Sequence, residues 1–379
     1  MEKELFNYID SNKANIEATW KTLHSMPEPA FQEEKTSAYL ADELRKNHFR
    51  VIDGLAGTGV LGILEGSKPG SVVGLRADMD ALIHADEEGK AVAVHSCGHD
   101  ANCTKVLWAA RAIAEALPSF SGKLFVLFQP AEESLGGAKK IIETGAVHEL
   151  QYLLATHLRS GSELPLGKVT PSLLHSASKA IEFFVAGENA HGARPHQGIN
   201  AIEAAVGIIQ AIQALHLDPM IPHSAKVTKI QSGPNPFNVI PDMVSMGFDL
   251  RAQTNELMAL QEEQITRIAV ETGKVYGAKV RSKSHNGAPA AARCQELVDV
   301  VAEAIKDVLG EQALAPVSPT AGGEDFHEYA AAIPNLKSTI IGIGADVNPG
   351  LHKADMTFHL RALSDGAKIL ASTAIRLLR

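Results

Sequence analysis

Lys123-Leu-Phe-Val-Leu-Phe-Gln-Pro-Ala-Glu-Glu133 is the segment from which the fold class of this 379-residue chain is most directly argued. Its first six residues form a short apolar run, which is typical of a buried strand. Two adjacent carboxylates, Glu132 and Glu133, follow the run. Because α/β sheets place their active sites at the carboxyl ends of strands, the segment predicts a buried sheet with a polar site at its edge.

Predicted helices and strands alternate on both sides of this segment. The strands lie at 60–65, 72–76, 123–128, 152–155 and 337–342, and the helices at 5–23, 35–47, 100–117, 135–144, 295–310 and 364–378. Such alternation is typical of an α/β layer with a largely parallel sheet. We therefore predict an α/β fold in which helices flank the sheet.

The middle of the chain carries a different pattern. Its predicted elements are strands at 179–185, 225–231, 238–250 and 278–284 and helices at 200–215 and 256–276. Their order, β-α-β-β-α-β, is that of a ferredoxin-like α+β domain. We predict that residues 176–287 form an inserted domain, which leaves a discontinuous first domain of residues 1–175 and 288–379.

Composition and charge argue against several classes of protein. Apolar residues make up 45% and charged residues 21% of the sequence, which is ordinary for a globular protein. No apolar run reaches the roughly 18 residues of a transmembrane helix, and the N-terminus lacks the pattern of a secretory signal. The net charge of −9, without a Lys/Arg cluster, argues against nucleic-acid binding. We expect neither a nucleic-acid nor a membrane partner.

Three cysteines occur, at Cys97, Cys103 and Cys294, without regular spacing. An odd, low count does not predict a disulfide framework and fits a reducing compartment. We therefore expect a cytoplasmic protein in which a thiolate stays available as a metal ligand.

Cys97 and His99 flank a single glycine in His95-Ser-Cys-Gly-His-Asp100, just before a predicted helix. Thiolate and imidazole are strong ligands for zinc-like ions, and Gly98 lets the backbone turn so that both side chains point at one centre. The alternative is a buried cysteine beside a hydrogen-bonded histidine. This pair alone does not decide between the two interpretations.

Three further elements carry related chemistry. Glu132 and Glu133 need not point the same way, so one can bind a metal while the other faces a water molecule. His157 follows an apolar strand, and His352 follows Pro349-Gly-Leu. A solvated acidic loop and structural histidines are the alternatives. Together, five residues have the side-chain types of a site for two metal ions: Cys97, His99, Glu133, His157 and His352.

Six motifs follow one another along the chain. They are Arg76-Ala-Asp-Met-Asp80-Ala-Leu, His95-Ser-Cys-Gly-His-Asp100, Gln129-Pro-Ala-Glu-Glu133, Ala190-His-Gly-Ala-Arg-Pro-His196, Asn238-Val-Ile-Pro-Asp242 and Gly323-Glu-Asp-Phe326. In this order and at these separations the sequence resembles the amidohydrolase branch of the dinuclear aminoacylase and carboxypeptidase G metallopeptidases. That branch includes hippurate hydrolases, N-acetyldiaminopimelate deacetylases and indole-acetyl-amino-acid hydrolases. The resemblance covers nearly the whole chain.

The resemblance implies a role for each matching position. The implied ligands of two divalent ions (zinc, manganese or cobalt) are Cys97, His99, Glu133, His157 and His352. It implies that Glu132 is the general base and that His191 steadies the oxyanion from a neighbouring subunit. Asn238 and Arg251 match positions that can bind the substrate carboxylate. We expect Asp78 to lie behind the ligands as a hydrogen-bond acceptor.

The implied activity is hydrolysis of the amide bond of N-acyl amino acids, with release of an amino acid and a carboxylic acid. The implied architecture is a catalytic domain with an inserted lid and dimerisation domain, so a homodimer is expected. The sequence departs from the family pattern at Ile83-His-Ala-Asp86, where a proline and a Gln/Glu pair are usual. Such departures leave the preferred acyl group and amino acid open.

Two alternative functions remain at this level. A dipeptidase or carboxypeptidase acting on small peptides would differ only in its substrate. A non-catalytic relative that binds a metal or ligand would keep the same fold. The presence of both Glu132 and His191 argues against the second alternative, because a pure binding protein needs no general base.

Overall fold

The computed structural model describes residues 2–116, 120–234 and 236–378. The chain divides into two compact units. The first unit consists of Met1–Leu174, Ala292–Ser318 and Asp325–Arg379, and the second consists of His175–Ala291 and Pro319–Glu324. The first unit is thus assembled from three separated pieces of the sequence.

Ten α-helices and seventeen strands occur within the described residues. The helices are α1 (Glu2–Ser11), α2 (Lys13–His24), α3 (Glu34–Lys46), α4 (His99–Ala116), α5 (Gly137–Glu143), α6 (Ala201–Gln213), α7 (Asn255–Val275), α8 (Gln295–Leu309), α9 (His327–Ala332) and α10 (Arg361–Leu377). The strands are β1 (Arg50–Leu55), β2 (Gly59–Glu65), β3 (Lys68–Asp78), β4 (Leu82–Ala85), β5 (Ala91–Val94), β6 (Ser121–Gln129), β7 (Tyr152–Ser160), β8 (Val169–Thr170), β9 (Leu173–His175), β10 (Ala177–Ala186), β11 (Ala190–His191), β12 (His223–Ser232), β13 (Val239–Ile240), β14 (Met243–Ala252), β15 (Lys279–Ala288), β16 (Ser318–Thr320) and β17 (Lys337–Val347). None of these helices combines the length and the apolar character needed to cross a membrane.

The main sheet of the first unit has seven strands in the order β1-β2-β6-β3-β7-β17-β8. Its centre is parallel, because β6, β3, β7 and β17 pair in one direction. Antiparallel pairing adds β2 and β1 on one side and β8 on the other. The predicted α/β class, with a sheet that is parallel at its centre and flanked by helices, is confirmed.

The apolar run at 123–128 supplies both faces of this sheet. Leu124, Val126 and Phe128 pack into one core, which includes residues of α4 and α10. Phe125 and Leu127 pack into a second core, which includes residues of α5 and α9. Because successive side chains of a strand point to opposite faces, a strand covered on both faces is apolar throughout.

The second unit is built on a four-stranded sheet in the order β12-β14-β10-β15, and each of these pairings is antiparallel. Along the chain the elements follow the predicted ferredoxin-like order, β10-α6-β12-β14-α7-β15. Both helices contribute to one core, in which the rings of Phe183 and Phe248 meet edge to face at 5.8 Å. Alternate residues of β14 are buried, as expected of a sheet covered on one face.

Most predicted elements differ from the observed ones in their bounds, and two of them are interrupted. The helix predicted at 5–23 is broken at Asn12, whose side chain donates to the backbone oxygen of Tyr8. The strand predicted at 238–250 is interrupted at Pro241, which has no N–H to offer a strand ladder. The helix predicted at 100–117 starts at His99, and its last predicted residue, Leu117, lies outside the described residues.

The strand predicted at 152–155 continues to Ser160, so His157 lies within β7 rather than after it. The prediction ended too early because Thr156 and His157 are polar, although both are buried. Several short elements had no predicted counterpart, among them β1 and the hairpin formed by β4 and β5. These strands are short and only partly buried, so they carry no long apolar run.

Candidate metal centre

Four parallel strands bring polar residues to one edge of the main sheet. β3 ends at Asp78, which is in register with Gln129 at the end of β6. His157 lies near the end of β7, opposite Gly342 of β17. Because the carboxyl ends of parallel strands share one edge, the residues that follow them lie close together.

The turn that carries Cys97 and His99 requires a glycine between them. Gly98 has φ +85°, a conformation that other L residues rarely adopt. A Cβ at this position would also lie 3.0 Å from Cδ1 of Leu158. His99 then begins α4, so the turn places both side chains at the start of a helix.

Asp80 fixes the ring of His99. Nδ1 of His99 lies 2.9 Å from the backbone oxygen of Asp80 and 3.2 Å from its carboxylate. With a proton on Nδ1 donated to these acceptors, Nε2 is the nitrogen that can bind a metal. Carboxylate oxygens of Asp78, Glu132 and Glu133 lie 3.6, 3.9 and 3.8 Å from Nε2.

His157 and His352 reach the same region from different parts of the chain. Nδ1–H of His157 donates to the backbone oxygen of the next residue at 2.8 Å, and its Nε2 lies 3.6 Å from Sγ of Cys97. Burial lowers the pKa of His157 to about 3, so its ring is neutral near pH 7. The backbone N–H of His352 donates to the oxygen of Ser96 at 2.7 Å, and its Nε2 lies 3.6 Å from Oε1 of Glu133.

The five predicted ligands therefore fall into two groups of three that share one thiol. The groups, each with donor atoms within 4.8 Å of one another, are Cys97–His99–His157 and Cys97–Glu133–His352. Glu132 belongs to neither group, but lies within the same distance of Asp78 and His99. The two neighbouring glutamates thus have different surroundings.

Two buried atoms of this cluster, Nε2 of His99 and Oε1 of Glu133, have no hydrogen-bond partner among the described residues. They face each other at 3.8 Å. Buried polar atoms are nearly always paired, so two unpaired atoms this close need an explanation. A cation provides one, and a set of thiolate, imidazole and carboxylate donors fits zinc, manganese or cobalt.

The charge of the cluster also favours a cation. Burial by itself disfavours a charged imidazole, but the negative charge of Asp78 and the hydrogen bond to Asp80 raise the pKa of His99 well above its ordinary value. Burial raises the pKa of the Cys97 thiol. A divalent ion would replace the proton on each of these two groups, because metal binding requires the deprotonated form of its ligands.

Asp80 is a residue of this cluster to which sequence reasoning gave no role at the site. Its two carboxylate oxygens accept the backbone N–H groups of Glu132 at 3.1 Å and Glu133 at 3.0 Å. Asp78, which was expected to lie behind the ligands, accepts a hydrogen bond from Arg76 at 2.9 Å. The sequence held one signal for Asp80. It lies two residues after Asp78 at a strand end, and alternate residues of a strand share a face.

Asp325 is a second residue near the cluster to which the sequence analysis assigned no role. Its carboxylate is fully buried and accepts from Nη2 of Arg76 at 2.9 Å, from Nε2 of Gln129 at 2.8 Å and from the N–H of Ala138 at 3.0 Å. It therefore joins the ends of β3 and β6. Its place in the motif Gly323-Glu-Asp-Phe326 was the only sequence signal, because nearly 200 residues separate it from Gln129.

The predicted residues of the second unit form a separate set. His191 lies on β11 and Asn238 immediately precedes β13, and the N–H of Gly192 donates to the backbone oxygen of Asn238 at 2.7 Å. This two-stranded ribbon presents both side chains to solvent. Arg251 lies on β14 instead, where its guanidinium pairs with Asp249 at 3.0 Å.

A protein-family model matches residues 74–376, which include all the motifs described above. It is the model of peptidase family M20/M25/M40. The chain belongs to this family.

Three curated relatives of this M20/M25/M40 chain have similar lengths. An IAA-amino acid hydrolase ILR1-like 2 of Arabidopsis thaliana is 31% identical, over 95% of this chain and 84% of the relative. Thermostable carboxypeptidase 1 of Saccharolobus solfataricus is 30% identical, over 83% and 82%. A hippurate hydrolase of Campylobacter jejuni is 29% identical, over 94% and 95%.

A solved structure is similar to this chain over its whole length. The crystal structure of a protein named as an aminohydrolase from methicillin-resistant Staphylococcus aureus superposes with a TM-score of 0.92. The two share 28% sequence identity, and the match covers 100% of each chain. The similarity therefore includes both compact units of this chain.

Proposed function

We propose that this chain is a metal-dependent hydrolase that cleaves the amide bond of N-acyl amino acids and releases the amino acid and a carboxylic acid. The observation that carries the proposal is the pair of three-donor groups sharing Cys97, with the carboxylate of Glu132 beside them. The relatives named IAA-amino acid hydrolase and hippurate hydrolase support this class of substrate.

The proposed cofactors are two divalent ions of zinc, manganese or cobalt. One would be held by Cys97, His99 and His157 and the other by Cys97, Glu133 and His352. When bound, such ions supply Lewis acidity, which polarises a carbonyl group and lowers the pKa of water. The shared thiolate and the neutral imidazole of His157 suit this task, because both bind in their deprotonated forms.

Glu132 is the proposed general base. Its side chain is only 6% exposed, and its Oε2 lies 3.9 Å from Nε2 of His99. At this position its carboxylate can take a proton from the attacking water and return it to the leaving nitrogen. Asp80 binds the backbone N–H groups of Glu132 and Glu133. It thereby holds the backbone from which the two glutamate side chains point in different directions.

His191 is the proposed donor to the oxyanion. The N–H of Ala193 donates to Nδ1 of His191 at 3.1 Å, so a neutral ring carries its proton on Nε2. The imidazole is exposed, and Nε2–H is therefore available to a developing negative charge. Asn238, on the same ribbon, and Arg251, on β14, are proposed to bind the carboxylate of the substrate.

We assign the second unit the roles of lid and dimerisation domain, and we propose a homodimer in which His191 serves the partner's site. Two features support this assembly. β12 is an edge strand of its sheet, and edge strands are ready to pair with another chain. Ile202 and Val206, one turn apart on α6, are both more than 40% exposed and together present apolar surface on one face of the helix.

A cytoplasmic location is part of the proposal. Cys97, Cys103 and Cys294 are all free thiols in the described structure. A reducing compartment keeps Cys97 available as a thiolate. The acidic net charge of −9 argues against a nucleic-acid partner.

A carboxypeptidase or dipeptidase activity is the second candidate, and the relative from Saccharolobus solfataricus named as a carboxypeptidase favours it. The experiment is a comparison of acetyl-, benzoyl- and aminoacyl-capped amino acids with the same purified, metal-analysed protein. The proposal expects the highest kcat/KM for an N-acyl amino acid. A preference for the aminoacyl-capped substrates would favour the peptidase, and absence of turnover with two ions bound would refute both.

A further inference from the structure

A buried carboxylate outside the predicted site, that of Glu33, contacts the turn that carries Glu132 and Glu133. Glu33 is fully buried at the start of α3. Its Oε1 accepts the backbone N–H of Ala131 at 2.9 Å. Ala131 immediately precedes the two glutamates, so Glu33 binds the backbone of the turn next to them.

The residue that Glu33 holds has an unfavourable backbone conformation. Ala131 has φ +57°, in the left-handed region that L residues with a Cβ usually avoid. Oε1 of Glu33 also accepts the N–H of Phe31 at 3.0 Å, and Phe31 has φ +62°. A single carboxylate oxygen thus compensates two strained residues, and strained residues persist only where their surroundings hold them.

The other carboxylate oxygen of Glu33 is also bound. Oε2 accepts the hydroxyl of Thr58 at 2.5 Å, next to the start of β2. Burial raises the pKa of the Glu33 carboxyl, although the hydrogen bonds from Thr58 and Ala131 lower it in part. Glu33 therefore ties together three segments: its own loop, the turn before β2 and the turn after β6.

Two buried carboxylates bind the backbone of this turn. Glu33 binds the N–H of Ala131, and Asp80 binds the N–H groups of Glu132 and Glu133. Three successive N–H groups therefore point at two buried carboxylates. The direction of each N–H is set by the backbone angles of the turn, and the same angles direct the two glutamate side chains.

We propose that Glu33 is a positioning residue, which holds Ala131 in the left-handed conformation that sends Glu132 and Glu133 to separate tasks. The inference rests on the proposed function for the roles of these two glutamates. It predicts that loss of the Glu33 acceptor misdirects both, although Glu33 touches neither substrate nor metal.

The main experiment compares kcat, KM and Mn²⁺ affinity of the wild type with those of Glu33→Ala and Glu33→Gln. Misplacement of a reacting group by about 1 Å can cost a hundredfold in rate, so we expect kcat of Glu33→Ala to fall by about 10–100-fold with little change in KM. Mn²⁺ affinity is expected to fall as well, because Glu133 shifts with Glu132. Glu33→Gln keeps an oxygen for Ala131 and should stay close to the wild type.

A second substitution separates positioning from general loss of stability. Glycine adopts positive φ without steric cost, so Ala131→Gly should restore part of kcat in the Glu33→Ala background. In the wild-type background Ala131→Gly should not raise kcat. Glu28→Ala is the matched control, because the Glu28 carboxylate also accepts backbone N–H groups, at Lys35 (3.1 Å) and Thr36 (3.0 Å), on α3 rather than the turn.

Two outcomes would overturn the inference. One is wild-type kcat and Mn²⁺ affinity in Glu33→Ala. The other is a loss that matches Glu28→Ala at equal thermal stability and is not relieved by Ala131→Gly. Failure of the proposed function can be distinguished from failure of this inference, because the metal-loaded wild type would then show no turnover. In that case Mn²⁺ affinity and amide exchange of the 129–136 segment still test whether Glu33 orders the turn.

Discussion

The two units of the molecule present most of their candidate residues in different ways. In the first unit, Cys97, His99 and Glu132 are at most 8% exposed, and each has a charged or polar neighbour within the cluster, although His352 is exposed. In the second unit, His191 and Asn238 are exposed at the end of a two-stranded ribbon. Buried polar groups need partners inside the protein, whereas exposed groups are already solvated by water.

This difference predicts different consequences of substitution. In the first unit, a single change leaves charged neighbours unpaired or removes a shared ligand, so effects on metal content or turnover should be large. In the second unit, a change removes a contact that forms only with an incoming molecule, so the metal content should stay the same. The contrast can be tested at the adjacent glutamates, at the shared thiol and at the exposed ribbon, in order of decreasing expected effect.

The largest effect is expected within the pair of adjacent glutamates. Glu132→Ala should lower kcat by about 10²–10⁴-fold, the usual contribution of a general acid–base residue, while both ions stay bound. Glu133→Ala should lose bound metal, because its side chain belongs to a three-donor group. Steady-state kinetics and elemental mass spectrometry of the same samples measure both. Metal loss in Glu132→Ala would show that this residue is a ligand instead.

The next effect concerns the shared thiol. Cys97→Ala should weaken the binding of both ions, because Cys97 is common to both donor groups. The loss of affinity should exceed the about 10–100-fold that removal of an outer partner usually costs. Cys294→Ala, which removes a half-buried thiol elsewhere, is the control. Unchanged metal stoichiometry in Cys97→Ala under chelator competition would exclude Cys97 as a ligand.

A smaller effect is expected from the exposed ribbon of the second unit. His191→Ala should reduce kcat by about 10²–10³-fold, as loss of an oxyanion donor does, without any change in bound metal. His196→Ala removes another exposed histidine from the same loop and should leave kcat nearly unchanged. Equal kinetics for the two variants would remove His191 from the mechanism, and metal loss would contradict the contrast between the units.

The smallest effect is on stability and comes from a buried histidine that binds no metal in this proposal. Burial, together with the charge of Arg76, lowers the pKa of His327 from 6.5 to about 3. Below pH 6.5 the unfolded chain therefore binds a proton that the folded chain does not. Stability of the first unit should fall as pH falls, with about 1 kcal/mol per pH unit from this histidine.

Urea unfolding at several pH values between 7.5 and 5.5 measures this dependence. His327→Gln, which cannot take up the proton, should give a shallower loss of stability than the wild type. Parallel pH curves for the two proteins would mean that His327 does not contribute. The metal-free protein should be used for both, so that release of metal at low pH does not add to the slope.

Much of the first unit was predictable because its signals are local. The apolar run at 123–128 predicts a strand buried on both faces, and the glutamates after it mark the edge where the site lies. Gly98 could be assigned a role from the sequence because glycine is the residue that most readily adopts the positive φ that such a turn needs. Bounds were less accurate where polar residues are buried, as at His157 within β7.

The partners of these residues were not predictable in the same way. Nothing local shows that Asp80 rather than Asp78 would bind the N–H groups of both glutamates. Asp325 and Glu33 contact the 129–138 region across about 190 and 100 residues of sequence. Such contacts depend on strand order and on the exit direction of each loop, and periodicity carries no information about either.

By itself the sequence determined the α/β class, the order of elements in the second unit and the types of donor available for a metal. These follow from residue type and spacing, because burial and ligand chemistry depend on the side chain. Only the tertiary structure decided that two donor groups share Cys97, and that the buried carboxylates of Glu33 and Asp80 hold the glutamate turn. Those facts depend on which strand ends become neighbours, and this is settled only when the whole sheet is assembled.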